Sequence, residues 1–320
     1  MTTPATDQPT NQPTKQEVDA ARSDPKLANV LYHDWEASTY DEKWSISYDE
    51  RCITYARGRF ELVAGSAGWP YEKALELGCG TGFFMLNLIQ AGVISQGFVT
   101  DISPGMVDVA VRNATSLGLD VQGRVADAES IPYDDDTFDL VVGHAVLHHI
   151  PEVEIALKEV LRVLKPGGRF VFAGEPTRHG DFIARRLSRL TWAAAQQATR
   201  IPGLKEYAKP QQDLDASSEA AALEAVVDIH TFRPADLVAL ATTAGAADVE
   251  VKTEELTASW LGWPVRTLEC ALRPERIPDR FRWFSYKAWI RLSALDAKVM
   301  THLVPKGLFY NALVTGTKAS

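Results

Sequence analysis

The stretch at residues 74–84, ALELGCGTGFF, decides the fold. In it an apolar run ends in a loop with three alternating glycines, and a helix-like apolar segment follows directly. Glycine reaches backbone conformations with positive φ and lets the backbone approach a ligand closely. The first amides of the following helix have no partner within that helix, so they point at whatever the loop holds. The pattern predicts a strand, a ligand-binding loop and a helix, in that order.

Strand and helix patterns alternate beyond this loop. We expect strands at residues 73–77, 97–101, 120–126, 138–144, 169–174, 248–254 and 308–317. Helices of about a dozen residues separate the first five strands, which favours right-handed crossovers and a parallel sheet covered on both faces. The predicted fold class is therefore α/β, with a Rossmann-like, doubly wound sheet of seven strands.

Asp101 strengthens the case for a ligand site. It lies 19 residues beyond Gly82, at the end of the second predicted strand. Ligands of open parallel sheets bind beyond the carboxyl ends of the strands, and an acid at this place can accept hydrogen bonds from ribose hydroxyls. The site is thus predicted to hold a nucleoside. A dinucleotide fingerprint needs glycine where this chain has Phe83, and that disfavours NAD and FAD.

Three further segments carry a specific resemblance. They are TDISPGMVDVA at residues 100–110, ADAESIPYDDDTFDLVVGHAVLHHI at 126–150 and EVLRVLKPGGRFVFAGEP at 159–176. Together with residues 74–84, and in the same order and spacing, they resemble the class I S-adenosylmethionine-dependent methyltransferases, above all the small-molecule, type 11-like group. The resemblance is strong over residues 70–176 and looser over the last two strands. It implies S-adenosylmethionine as cofactor, no metal, and a sheet whose last strand is antiparallel.

The resemblance also implies roles for individual residues. Glu76 and the loop backbone would hold the methionine end of the cofactor, Asp101 the ribose, and Asp127 the adenine amino group. His144 ends the fourth strand and would face the sulfonium and the acceptor. The full predicted cofactor set is Glu76, Gly78, Cys79, Gly80, Gly82, Asp101, Ile102, Asp127, Ala128, Gly143, His144 and Tyr40.

A general base is needed only for some acceptors. The cofactor carries the difficult chemistry, so the protein must align the nucleophile and exclude water. For a hydroxyl or protonated amine, His144 is the first candidate for the base and Glu175 the second. A structural role for His144 is an equal alternative. We interpret His148 and His149 as structural and expect no metal site, because the sequence offers no recognisable carboxylate or thiolate to complete a ligand set.

The chain divides into segments of different composition. We expect a disordered tail at residues 1–25, a helical leader at 26–69, the cofactor-binding core at 70–176, a helical insertion at 177–230, core again at 231–256, a second helical insertion at 257–305 and the final strand at 306–320. The leader is rich in tyrosine and tryptophan and is interpreted as core or as a lid. We favour the lid, with Tyr40 touching the cofactor.

The two insertions combine tryptophans with arginines and are expected to form a helical cap. The preferred interpretation is an amphipathic cap whose charges face solvent. The alternative is a pocket for a lipid-like or polycyclic acceptor, or a helix that rests on a membrane surface. One apolar stripe is predicted from helical spacing at Phe281, Phe284, Ala288, Leu292, Leu295 and Val299.

Composition limits the partners. A net charge of −9 and a pI of about 5.3 disfavour a nucleic-acid substrate. Three cysteines without paired spacing argue against disulfides and zinc and fit a reducing cytosol. No signal-peptide pattern and no run of roughly 18–20 apolar residues is visible, so we expect a cytoplasmic protein without a transmembrane segment.

The predicted function is methyl transfer from S-adenosylmethionine to an O, N or C nucleophile of a small organic acceptor, hydrophobic in one interpretation of the cap. Three alternatives stay open: a nicotinamide-dependent oxidoreductase on the same fold, a non-catalytic S-adenosylmethionine-binding protein, and a macromolecule methyltransferase. The sequence carries no signal for the acceptor's identity or the oligomeric state, because specificity resides in its least recognisable segments.

Overall fold

The computed structural model describes residues 13–211, 214 and 226–320. Its strands are β1 Tyr71–Leu77, β2 Ile94–Asp101, β3 Val121–Val125, β4 Phe138–His144, β5 Leu164–Pro176, β6 Ala246–Glu254 and β7 Asn311–Lys318. They form one sheet in the order β3-β2-β1-β4-β5-β7-β6. The first five strands pair in parallel, and β7 runs antiparallel to both β5 and β6. The predicted fold class is confirmed.

Helices surround this sheet. In the described residues they are α1 Lys15–Ala21, α2 Pro25–Glu36, α3 Tyr40–Trp44, α4 Glu50–Ala64, α5 Phe83–Gln90, α6 Pro104–Ser116, α7 Val153–Val163, α8 Arg178–Ala198, α9 Pro234–Ala244, α10 Thr257–Ala271, α11 Asp279–Leu295 and α12 Thr301–Leu303. A π-helical turn, Asp296–Met300, joins α11 to α12, and short 3₁₀ turns occupy Leu147–His149, Pro202–Tyr207, Pro274–Arg276 and Lys306–Leu308. In the cap, α10 packs against both α8 and α11.

The sheet is buried on both faces. Leu75 and Val141 belong to one apolar cluster, and their neighbours Ala74 and Val142 to a second cluster on the other face. Successive side chains of a strand point to opposite faces, so this alternation places a core on each side. The strand order reverses between β1 and β4, and ligands of such sheets bind outside the carboxyl ends at this reversal.

Local sequence sets the geometry of this edge. Leu77 lies opposite Thr100 in the β1–β2 register, so the residues that follow both strands meet at the same end of the sheet. Ser103 then caps α6: its hydroxyl accepts a hydrogen bond from the Met106 amide (3.1 Å), and Pro104 occupies the first helical position. The strand end and the helix start are thus fixed within a few residues.

The predicted disordered tail is wrong for residues 15–25. Helix α1 starts after Thr14, whose hydroxyl accepts from the Glu17 amide, while the Glu17 carboxylate accepts from the Thr14 amide. Ala21 is buried, and it packs with Tyr32 and Val227. The polar composition of the whole segment hid this local capping box and its apolar face. Residues 1–12, and all but the last two residues of the helix predicted at 217–227, lie outside the described residues.

The predicted apolar stripe is not the buried face of α11. Phe284, Leu295 and Val299 are 67%, 39% and 38% exposed. The face that turns inward instead carries Tyr286 and Trp289, which line a cavity. A cavity wall accepts polar and aromatic side chains, so counting apolar residues at helical spacing selected the wrong side of this helix.

Candidate active site

A cavity of about 900 Å³ lies at the carboxyl end of the strands. The leader, the sheet edge and both insertions contribute to its wall. Of the predicted site residues, those that line it are Glu76, Gly78, Cys79, Gly80, Asp101, Ile102, Asp127, Ala128, His144 and Tyr40. The fold therefore brings together residues spread over a hundred positions of the chain.

The glycine loop after β1 has the backbone that its sequence predicts. Gly78 and Gly82 have φ values of +58° and +92°, in the region that L side chains rarely adopt. A Cβ on Gly78 would lie 2.2 Å from Cγ2 of Val146, so this position also has no room for a side chain. Gly82 is the N-cap residue directly before α5. The loop thus presents backbone rather than side chains to the cavity.

Two predicted binding residues, Gly82 and Gly143, do not line the cavity. Gly82 shapes the turn into α5 instead. A Cβ on Gly143 would lie 2.7 Å from side-chain atoms of both Phe172 and Val146. In the structure both glycines act through packing and turn geometry, and their contact with the cofactor stays a prediction.

Asp101 joins the end of β2 to the glycine loop. Its Oδ2 accepts a hydrogen bond from the Gly80 amide and its Oδ1 accepts one from the Ser103 amide, both at 2.9 Å. Burial raises the pKa of Asp101 to about 6, although these amides oppose the shift. The carboxylate is held in one orientation at the cavity wall before any ligand arrives.

Glu76 places a second carboxylate on the same wall. Its Oε2 accepts from the Met85 amide at 3.1 Å, and burial raises its pKa well above the usual range. Charges buried this deeply are costly unless an opposite charge compensates them. A ligand that carries a positive charge would offset the cost of burying an ionised Glu76 in this wall.

Asp127 is paired with the leader. The Lys26 ammonium in α2 lies 2.6 Å from Oδ2 of Asp127 and 2.5 Å from Oε2 of Glu129. The other oxygen of Asp127 accepts from the Glu129 amide at 2.9 Å. Lys26 was missed by the sequence analysis, because its contact with Asp127 spans a hundred residues and no local pattern marks it.

Tyr40 covers the glycine loop from the leader. A Cβ built on Gly80 would meet the Tyr40 ring at 3.8 Å, and the same ring contacts His33 and Trp44. A hydrogen bond holds the leader against the core nearby: the Asp34 carboxylate accepts from the Gly105 amide at 2.9 Å. This placement supports the lid interpretation of the leader.

His144 is enclosed by aromatic rings. It contacts Tyr55, Phe83 and Phe84 at centroid distances of 6.1, 5.2 and 5.5 Å. Its Nε2 is buried, and no hydrogen-bond partner for it lies among the described residues. Burial lowers the pKa of His144 to about 4. At neutral pH the His144 ring is uncharged, so it can form a hydrogen bond with a ligand in the cavity, but it is a weak base.

The structure corrects the prediction of Glu175 as a base. Its fully buried carboxylate accepts from the amides of Val146, Leu147 and His148 at 3.0 to 3.1 Å, and it bonds Nδ1 of His148 at 2.9 Å. It does not line the cavity. All of its contacts stabilise the turn after β4, so it has no route to an acceptor.

His148 is better placed for proton transfer than the sequence suggested. Because Nδ1 is committed to Glu175, Nε2 is left on the side of Asp228, 3.9 Å from its Oδ1. Burial acts to lower the pKa of His148, but Glu175 and Asp228 outweigh it and the pKa is raised. His148 also lines the cavity. No local sequence pattern marks this arrangement, because Asp228 lies 80 positions from His148.

His148, His149 and Asp228 form the one cluster, within the described part of the chain, whose ligand atoms could surround a metal ion. Asp228 is the carboxylate that the sequence analysis did not find, which corrects its stated reason for rejecting a metal. Nδ1 of His149 donates to the Val227 carbonyl oxygen 2.9 Å away, and Nδ1 of His148 bonds Glu175, so Nε2 is the nitrogen that each histidine can offer to a ligand.

The insertions supply an aromatic wall to the same cavity. Trp263, Tyr286 and Trp289 line the cavity from α10 and α11, and Trp289 stacks on Tyr55 at 6.4 Å. The Arg59 guanidinium lies over the Tyr55 ring, 3.7 Å from its centroid. This wall offers flat apolar surface, whereas the wall at the sheet edge offers backbone amides and carboxylates.

Comparison with known proteins identifies the family. Residues 75–172 match a family model described as a methyltransferase domain. The aklanonic acid methyltransferase DauC of Streptomyces sp. (strain C5) is 33% identical over 156 residues, a match that covers 45% of this chain and 70% of that relative. The chain belongs to the S-adenosylmethionine-dependent methyltransferases. It is an enzyme of the class that acts on small molecules, and S-adenosylmethionine is its cofactor.

Other relatives agree with this family. A demethylmenaquinone methyltransferase of Bacillus cereus is 30% identical over 161 residues, covering 43% of this chain and 67% of that relative. The structure of phosphoethanolamine N-methyltransferase 2 from Haemonchus contortus aligns with a TM-score of 0.56 at 14% identity, covering 92% of this chain and 59% of that one. At this identity it shows the common fold alone. Within the described residues, no helix is both long and apolar enough to span a bilayer.

Proposed function

We propose that this methyltransferase methylates an O, N or C nucleophile of a small hydrophobic acceptor. One observation carries the proposal: a single cavity joins the glycine loop and its acids to the aromatic wall of the cap. The acids suit a charged nucleoside, and the aromatic wall suits a flat or apolar molecule. Placed between them, the acceptor would meet the cofactor away from water.

The cofactor fits the polar wall. The carboxylate of Glu76, which receives one amide, has capacity left for an ammonium group, and Asp101 can accept from ribose hydroxyls. Asp127 would accept a hydrogen bond from the adenine amino group in addition to the one that it accepts from Lys26. S-adenosylmethionine supplies an electrophilic methyl group when bound. The protein's part is to orient both partners and to exclude water.

We assign proton removal to His148 for acceptors with a hydroxyl or ammonium group. Glu175 fixes its Nδ1 and the tautomer, which leaves Nε2 to take the proton. Neutral His144 would orient the acceptor through its unpartnered Nε2. The leader, residues 26–69, would act as a lid that Lys26 and Tyr40 hold over the cofactor.

The acceptor class can be tested with paired compounds that share one nucleophile and differ in apolar substituents. Purified protein is incubated with methyl-labelled S-adenosylmethionine and each member of phenol, quinol and amine pairs, and label in an organic extract is counted. We expect label transfer to rise with apolar substitution and to stop when S-adenosylhomocysteine is added in excess. Transfer only to the polar member of each pair, or to protein or nucleic acid alone, would contradict the proposal.

A further inference from the structure

The outer face of α11 differs from the rest of the surface. We define this outer face as Arg280, Trp283, Phe284, Lys287, Arg291 and Leu295. Trp283 and Phe284 are 61% and 67% exposed, and neither lines the cavity. The helix turns Tyr286 and Trp289 to the cavity on its other side. A single helix therefore separates the active site from an exposed apolar surface.

This outer face is also cationic in an acidic protein. Residues 279–303 contain five Arg or Lys against two Asp, while the whole chain carries −9. Of the two acids, Asp296 is buried and bonded to the amides of Leu256, Thr257 and Ala258. Among the described residues, no carboxylate forms an ion pair with Lys287 or Arg291. Positive charge is thus concentrated on one exposed helix.

The arrangement of charges and rings follows helical spacing. Trp283, Lys287, Arg291 and Leu295 are four residues apart and form one row, with Phe284 beside it. The Lys287 ammonium lies 5.9 Å from the Trp283 ring. Beyond the π-helical turn the exposure continues at Leu303, which is 72% exposed. Apolar and basic residues thus share one surface instead of segregating.

We propose that this outer face docks on an anionic phospholipid bilayer. Tryptophan and phenylalanine insert at the depth of the headgroups, and lysine and arginine bind the phosphates around them. A second copy of this chain is a poorer occupant, because a twofold interface would set the same unpaired cations against each other. Charge complementarity therefore selects an anionic lipid surface.

The docking is independent of the reaction, but its consequence rests on the proposed function. With the outer face on the bilayer, Tyr286 and Trp289 on the inner side of the same helix lie next to the membrane. A hydrophobic acceptor that leaves the bilayer then has a short path to the cavity wall. The helix would act as the boundary between acceptor reservoir and site.

Vesicle sedimentation of the full-length protein tests the proposal. The two vesicles are phosphatidylcholine alone and phosphatidylcholine with phosphatidylglycerol. We expect binding to the second only, weakened by salt, and reduced at least about tenfold in the double variant Lys287→Gln/Arg291→Gln. The variant Trp283→Gln/Phe284→Gln should lose binding in the same assay. The matched controls Ile155→Gln and Lys158→Gln, exposed on α7, should bind as the wild type does.

Three results would overturn the docking proposal. The first is that the wild type binds neither vesicle, and the second is that the two double variants of the outer face bind as the wild type does. The third is that ultracentrifugation shows a wild-type dimer and that Trp283→Gln/Phe284→Gln is a monomer. S-adenosylhomocysteine binding, measured on the same samples, shows that each variant is folded. Failure of vesicle binding with acceptor methylation intact would leave the proposed function standing, and the reverse outcome would leave the docking standing.

Discussion

The two walls of the cavity are built in different ways. On the sheet side, Asp101 and Glu76 receive backbone amides, and the loop between them is fixed by its glycines. On the cap side, Tyr286 and Trp289 stand on a helix whose opposite face is exposed. The backbone therefore defines the wall that we propose for the cofactor, and side chains on distant helices define the wall that we propose for the acceptor. A family can retain the first while varying the second.

The largest expected effect is that of Glu175→Ala, which removes the support of the turn after β4 that packs on Gly78 through Val146. It would leave three buried amides and His148 without their acceptor, so we expect the free energy of unfolding to fall by about 3–5 kcal/mol. Urea unfolding measures the change. The control Glu154→Ala, a partly exposed position on α7 that pairs with Lys158, should stay within about 0.5 kcal/mol of wild type. A similar small loss for Glu175→Ala would show that this turn is not rigidly held.

The substitution His148→Gln tests whether His148 or His144 removes the proton from the methyl acceptor. With a hydroxyl acceptor we expect kcat to fall by about a hundredfold or more, with S-adenosylhomocysteine affinity unchanged. Only neutral His148 can take the proton. The wild-type rate should therefore rise as pH increases through the raised pKa of His148 and be low at pH values below that pKa. His144→Gln is the comparison and should cost less. Equal losses in both variants, or an unchanged pH profile, would remove His148 as the base.

Trp289→Ala tests the acceptor wall alone. Loss of the ring that stacks on Tyr55 should raise KM for a hydrophobic acceptor about tenfold, with S-adenosylhomocysteine affinity unchanged. Steady-state kinetics with a dissolved acceptor gives KM, and calorimetry gives the affinity. Trp283→Ala, on the outer face of the same helix, is the matched control and should leave KM as it is. If Trp289→Ala weakens both ligands equally, the walls do not act separately.

The smallest expected effect is the pH dependence of S-adenosylhomocysteine binding. The ionised form of Asp101 accepts ribose hydroxyls best, and burial holds its pKa at about 6. Affinity for S-adenosylhomocysteine should therefore fall as pH drops below that value, by at most about tenfold per pH unit. Calorimetry across this range measures it. Affinity that rises toward low pH would show that the protonated acid binds.

Much of the cofactor wall could be predicted because its signals are local. Glycines at Gly78 and Gly82 and an acid at the end of the next strand are separated by short, regular elements, so sequence order gives their place in space. The seven-stranded sheet follows from the same regularity. Glu175 was the exception: its position at a strand end suggested chemistry, but its partners were the amides of the adjacent turn.

The long-range contacts around the cavity could not be predicted in the same way. Lys26 meets Asp127, and His148 faces Asp228, only because helices far apart in the chain pack together. The apolar stripe of α11 was assigned to the wrong face, since burial there depends on which side borders the cavity. Neither propensity nor periodicity carries that information.

The most direct test of the account is a titration of the purified, folded protein with S-adenosylhomocysteine by calorimetry. The account predicts saturable binding by wild type, a loss of at least about tenfold in Asp101→Ala, and wild-type affinity in Asp108→Ala, an exposed acid on α6. No measurable binding by wild type, or an Asp101→Ala variant that binds as tightly, would contradict it.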